Sequence, residues 1–203
     1  NALVSSYRYT YGANGFGFDI LFESAIAMWL WAILFELTVC AEDGCSLPAI
    51  SSSLNCGRHQ EPTAASVAEL KGQLVGNEAI TDLNGSYINF SDLDFTEKRL
   101  HTCYFSHSEF NGIDFSKTNM RLCFFDFCVF IDCQFRESDM KYSVFAGSAI
   151  RRCDFTRSDI LHCNFNGIKA VQTIFNESDF YFSTFANSDL RETTFNDCNL
   201  KKV

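Results

Sequence analysis

The sequence predicts a mainly β chain wound into a four-sided solenoid of about six coils and preceded by an apolar helix. Three observations predict it. A large apolar residue stands at every fifth position through the C-terminal half. A small residue stands two places before most of these. Residue types sort cleanly only when the sequence is folded at a period of 20.

The five-residue period is the first of these. From Phe90 to Leu200 every fifth residue is large and apolar, Ala170 alone excepted, and most of the 22 phenylalanines fall on these slots. No α-helix and no alternating strand repeats at five. The companion position carries Cys103, Ser108, Cys123, Cys128, Ser138, Ser148, Cys153 and others of similar size, and the residue between is often Asp or Asn. Both recurring positions point inward in this reading, and the remaining three face water. At Ala170 the lost volume returns through Ile168 at the companion position, as close packing requires.

Folding at 20 gives four ladders. Phe95, Phe115, Phe135, Phe155, Phe175 and Phe195 form one, and Phe105, Phe125, Phe145, Phe165 and Phe185 form the one opposite. The other two mix Phe with Leu, Met and Ile. Coils spaced like neighbouring strands, about 4.8 Å apart, make a rod roughly 28 Å long. Lys98 stands at an inward position, which predicts an irregular first coil.

The segments "CDFTR", "SDFYF", "CNFNG" and "SDLRE" carry a further reading. On them, residues 86–203 resemble the pentapeptide-repeat family. The resemblance implies a right-handed quadrilateral β-helix with one pentapeptide per side. It also implies a rigid binding or structural module rather than an enzyme.

Before the repeat, the expected organisation is a tail over 1–18, a transmembrane helix over 19–41, and a linker over 42–85. The stretch from Ile20 to Ala41 holds only Glu23 and Glu36 as charges and is long enough to cross a bilayer. Arg8 before it, with Glu42 and Asp43 after it, places the repeat on the trans, lumenal side. Within the linker, Pro62 and Thr63 open a helical pattern of Val67, Leu70 and Leu74, read as a short amphipathic helix capping the first coil. A cap is expected because an open solenoid end exposes unpaired strand edges.

Of the 10 cysteines, Cys103, Cys123, Cys128, Cys133, Cys153, Cys163 and Cys198 occupy the small inward position and read as core residues. Cys40, Cys45 and Cys56 lie outside the repeat and offer one disulfide, with a thiol left over, in an oxidising compartment. No CxxC pair has zinc-finger spacing, so no metal site is expected. His59, His101, His107 and His162 form no recognisable set with Ser or Cys, and no catalytic residues are expected. The column Asn119, Asp139, Asp159, Asp179 and Asn199 reads either as a cation stripe or as local turn bonding.

Outward apolar residues are the remaining signal. Tyr104, Phe124 and Val144 form one outer column, with Leu122, Tyr142 and Phe182 in the next, and Phe127, Val129 and Ile131 around the following corner. Such a patch predicts a protein-docking face. A formal net charge of −9 excludes a nucleic-acid binder that works by phosphate neutralisation.

The function expected is a non-catalytic accessory subunit of a larger membrane complex, photosynthetic or respiratory. Residues 20–41 would meet lipid, and the compartment would be thylakoid-like. No cofactor is required, although Glu23 and Glu36 are candidates to hold a chlorophyll magnesium in a photosystem. The resemblance also implies two alternatives, since some family members act as acidic DNA mimics on type II topoisomerases. A bacterial effector scaffold is the other.

Overall fold

Every fifth residue from Asp82 to Lys202 has a left-handed backbone, with φ between +51° and +70°. That single feature builds the fold. Each side of a coil is a short extended segment whose middle residue points inward, and the left-handed residue after it turns the chain through a corner. The computed structural model describes residues 38–51, 53–59 and 64–203.

Eleven three-residue strands run from β1 (Ala79–Thr81) and β2 (Asn89–Ser91) through β3 (Arg99–His101), β4 (Glu109–Asn111), β5 (Asn119–Arg121) and β6 (Val129–Ile131). They continue with β7 (Asp139–Lys141), β8 (Ala149–Arg151), β9 (Asp159–Leu161), β10 (Lys169–Val171) and β11 (Asp189–Arg191). They form two parallel sheets, β1-β3-β5-β7-β9 and β2-β4-β6-β8-β10-β11. Partners are 20 residues apart, as in Ile80 with Leu100 and Phe90 with Phe110. The other two sides pair through single bridges, Asn84–Tyr104–Phe124–Val144–Asn164–Thr184 on one and Asp94–Asp114–Gln134–Asp154–Ile174–Thr194 on the other.

The slots are filled by stacked rings. Phe115, Phe135 and Phe155 lie 4.8 and 4.4 Å apart between centroids and nearly parallel. Phe145 and Phe165 lie 4.8 Å apart. Across the interior the ladders meet edge to face, as between Phe135 and Phe145, the arrangement that the ring quadrupole favours.

The small inward position has a chemical role that its size alone does not reveal. Its hydroxyl or thiol donates to the carbonyl of the slot residue one coil below. Ser148 Oγ reaches Phe125 O at 2.7 Å, Ser178 Oγ reaches Phe155 O at 2.7 Å, and Cys128 Sγ reaches Phe105 O at 3.0 Å. Ser148 Oγ also accepts the Cys128 N–H at 2.9 Å. Serine, threonine and cysteine therefore interchange here because each is small and carries a donor.

Three boundaries differ from the sequence expectation. The solenoid begins at Ala79 rather than near Ser86, because Ile80 is a buried slot and β1 already pairs with β3. The first coil is regular: Asn119 N–H bonds Lys98 O at 2.9 Å in the same register as every later coil. Lys98 is tolerated because its ammonium leaves the interior and bonds Val75 O and Asn77 O at 3.3 and 2.8 Å. There it stabilises the carbonyl end of helix α1 (Ala64–Gly76).

Helix α1 buries Leu70 and Leu74 against the first coil, with Val67 packed beside them. The third difference concerns the apolar span. Residues 38–41 are not helical: Val39 pairs antiparallel with Pro48, and Cys40 N–H bonds Leu47 O at 2.9 Å. The rest of the expected span lies outside the described residues. Among the described residues no helix is long and apolar enough to cross a membrane.

Residues 38–59 fold back on the first coil beside α1. Ser51 N–H bonds Asn84 O at 2.8 Å, Asn84 Nδ2 bonds Ala49 O at 2.7 Å, and Ile50 joins Leu70, Leu74 and Ile80 in the core.

Candidate functional site: an aromatic side of the rod and a cysteine–histidine cluster

The four corners of the solenoid are columns of left-handed residues, each 20 apart, and their composition divides the rod. One corner runs Leu122, Tyr142, His162 and Phe182, where His162 stacks between Tyr142 and Phe182 at 5.0 and 5.2 Å. The next corner runs Tyr87, His107 and Phe127, stacked at 4.8 and 5.1 Å. The Phe127 ring then lies over Gly147, where an added Cβ would meet it at 2.6 Å. The side between these two corners is the one that carries Tyr104, Phe124 and Val144, with the first two rings 6.0 Å apart.

The opposite side has charged corners. Arg152 forks onto Asp132 with contacts of 2.6 and 2.8 Å, Arg157 meets Glu177 at 2.8 Å, and Gln172 meets Glu192 at 2.8 Å. Most of the outward apolar residues gather on or beside the aromatic side, with Ile174, 38% exposed, facing outward on the charged one. Tyr142 and Phe182 are 46% and 45% exposed and Phe127 is 37% exposed. Leu122 and Val144 are half-buried on the same side, and Val129 and Ile131 are half-buried on β6, around the corner from Phe127. The sequence reading omitted His107 and His162, the spacers that make both corners continuous. Their signal was the interval of 20 residues from their aromatic neighbours. Arg121, with its guanidinium 5.9 Å from the Tyr142 ring centroid, extends the same corner.

At the N-terminal end, Cys40, Cys45, Cys56 and His59 bring one ligand-type atom each to within 4.8 Å of all the others. Cys40 Sγ lies 3.4 Å and Cys56 Sγ 3.5 Å from His59 Nδ1, and Cys45 Sγ lies 3.9 Å from Cys56 Sγ. This corrects one expectation: His59 does form a set with cysteines, and the three thiols stand unbridged beside it. Cys56, Gly57, Arg58 and His59 form a C-x2-H unit that follows Cys40-x4-Cys45, a spacing that a search for CxxC overlooks. Burial pushes the Cys40 thiol up, but N–H groups of Cys56 and Glu42 and the side chains of His59 and Cys56 bond its sulfur and bring it to about 6. Burial, aided by the neighbouring thiols, pushes Cys45 up.

The cysteines of the rod behave differently. Burial pushes Cys128 well up and Cys163 up to about 12, as expected of inert thiols.

The family model for pentapeptide repeats matches eight copies, over residues 86–121 and 163–201. The strands between those two blocks keep the same 20-residue register. Residues 86–121 and 163–201 are pentapeptide repeats. Several solved structures are similar at low identity. One is the pentapeptide repeat protein Rfr23 from the cyanobacterium Cyanothece 51142, at 6% identity and a TM-score of 0.33, covering 66% of this chain and 98% of that one. Another is QnrB1, a plasmid-mediated fluoroquinolone resistance protein, at 11% identity and a TM-score of 0.32, covering 64% and 80%. A third is from the Arabidopsis thaliana thylakoid lumen, at 14% identity and a TM-score of 0.25, covering 58% and 65%. No curated protein matches the sequence.

In the pentapeptide rod the carboxylate column is engaged locally. Asn119 Nδ2 bonds Asp139 Oδ2 at 3.2 Å, Lys141 Nζ bonds the same oxygen at 3.0 Å, and Asn199 Nδ2 bonds Asp179 Oδ1 at 2.9 Å. Glu23 and Glu36 lie outside the described residues.

Proposed function

We propose that this pentapeptide-repeat protein is a non-catalytic docking subunit that binds a protein partner through its aromatic side. The observation that carries the reading is the division of the rod. Two aromatic corners flank one apolar side, while the opposite corners are laced with ion pairs. A surface column of stacked rings costs solvation unless something covers it, and aromatic residues are what the buried centres of protein interfaces favour.

The partner proposed is a larger membrane complex, to which the apolar sequence from Ile20 into the thirties would add a lipid or helix contact. A thylakoid-type setting and a pigment contact at Glu23 or Glu36 belong to the same proposal. The test is a native gel of membranes solubilised in mild detergent. Co-migration with a large complex is the expected result. Migration as a free 23.0 kDa chain, or absence from the membrane fraction, overturns the membrane-complex reading.

A second reading rests on the net charge of −9: an acidic rod that stands in for DNA on a type II topoisomerase. A gyrase supercoiling assay decides it, and full activity at micromolar protein removes it.

A further inference from the structure

The cysteine–histidine cluster lies before the repeat, at Cys40, Cys45, Cys56 and His59, and is independent of partner docking on the aromatic side. Tetrahedral zinc with Zn–S of about 2.3 Å and Zn–N of about 2.05 Å requires S···S edges of about 3.8 Å and S···N edges of about 3.6 Å. The structure has 3.9 Å between Cys45 Sγ and Cys56 Sγ, and 3.4 and 3.5 Å from His59 Nδ1 to Cys40 Sγ and Cys56 Sγ. A disulfide needs sulfurs about 2.04 Å apart and would use only two of the four groups.

The backbone supplies a second, independent sign. Cys56 N–H points at Cys40 Sγ from 3.3 Å. N–H donors directed at sulfur are the outer-shell arrangement that a metal thiolate needs.

We propose that Cys40, Cys45, Cys56 and His59 bind one Zn2+ ion as a closed structural site that fastens residues 38–59 across the mouth of the β-helix. Four protein ligands leave no open position, so the ion is structural rather than catalytic. Binding releases to solvent whatever protons the coordinating thiols still carry.

The fold shows why a fastener is needed. Residues 38–59, as described, contain no helix or strand longer than the single Val39–Pro48 bridge. A segment so short cannot bury enough apolar surface to hold itself, and metals commonly supply the difference. The segment nevertheless closes the first coil through Ile50 and through the Asn84 bonds to Ser51 and Ala49. Between the ligands Cys56 and His59, the loop also rests on the rod. A Cβ at Gly57 would meet the Tyr87 ring at 2.4 Å, and Arg58 Nε bonds Tyr87 Oη at 3.2 Å.

The experiment uses the full chain, purified under reducing conditions, with metal content measured after desalting and Co2+ as the spectroscopic probe. One zinc per chain is expected, with intense tetrahedral d–d bands and thiolate charge-transfer bands on Co2+ exchange. Loss of an outer-shell group already weakens metal binding about 10- to 100-fold, so His59→Ala should cost at least about 100-fold. Cys56→Ser should abolish the Co2+ bands, while Cys128→Ser, inside the rod, should leave them intact. Far-UV circular dichroism identifies any variant that fails to fold. Chelation and zinc re-addition on the native chain provide a variant-free measurement of the same site. Substoichiometric zinc with weak octahedral Co2+ bands, or binding that survives Cys56→Ser, overturns the proposal. So does a Cys45–Cys56 disulfide in zinc-supplemented protein that gains no metal after reduction.

Discussion

The two opposite sides of the rod share one backbone and differ at their corners, stacked rings on one and ion pairs on the other. Behind Tyr104, Phe124 and Val144 lie Phe105, Phe125 and Phe145. Behind Asp114, Gln134 and Asp154 lie Phe115, Phe135 and Phe155. The inner ladders are similar, with rings stacked at 4.8–5.3 Å behind the aromatic side and at 4.4–4.9 Å behind the charged one. The corners make the same left-handed turn whether the residue is Phe127, Tyr142, Lys117 or Glu137. The fold therefore places almost no demand on corner chemistry, and the sorting of aromatic corners to one side reports something other than folding. That is the basis for reading the aromatic side as a docking surface.

The comparison breaks first if the interior is not equivalent. Phe135→Ala and Phe145→Ala should each destabilise the rod by about 3–5 kcal/mol, and equilibrium denaturation should give values within about 1 kcal/mol of each other. A gap much larger than that would mean that one inner ladder carries the fold alone.

The donor slot comes next in size. Ser148→Ala removes a bond to Phe125 O and leaves the Cys128 N–H with only its longer, 3.4 Å bond to Phe125 O. It should cost about 1–3 kcal/mol. Ser148→Cys should cost clearly less, because a thiol fills the same role at Cys128.

A smaller pH effect is expected at Asp126, on the aromatic side. Burial pushes the Asp126 carboxyl up, opposed by its bond from Ser106 Oγ. A raised folded pKa means that the folded chain holds this proton more tightly than the unfolded one. Its stabilising effect is therefore complete below the ordinary carboxylate pKa and lost as pH rises through the folded value. Asp126→Asn should flatten that part of a thermal-melt pH profile, and an unchanged profile would refute the assignment.

The charged corners should matter least. Arg152→Ala and Glu177→Gln remove exposed pairs, which are worth little and are screened by salt. Their melting curves should nearly overlay the parent's, more closely at high salt.

The solenoid was legible because its rule is local and repeated. A slot at every fifth residue needs no knowledge of what lies across the interior. Phe95, Phe115 and Phe135 reveal their stacking by spacing alone. The start was harder to read, because Ile80 is followed at the next slot by Gly85, which packs against the Phe105 ring and breaks the apolar run. Lys98 misled for a related reason: its escape route runs to carbonyls at the C-terminal end of α1, more than 20 residues earlier in the chain. The cysteine cluster was the least legible part. Cys40, Cys45, Cys56 and His59 follow no period, and their convergence depends on a loop closed by the Val39–Pro48 bridge and on contacts with Asn84. The outer residues of the docking side could be named one by one, but the continuity of the corners required seeing His107 and His162 as members of aromatic columns.

The measurement that tests the central claim most directly sets the two sides against each other in one experiment. Phe124→Glu with Tyr142→Glu alters the aromatic side, and Arg152→Ala with Glu177→Gln alters the charged one, each assayed for retention in the native complex. An aromatic pair at the centre of an interface is worth about 2 kcal/mol or more per residue, or roughly 30-fold in affinity. The account predicts that the first variant stays folded and is lost from the complex, while the second is retained. Retention of the first, or loss of the second alone, would contradict it.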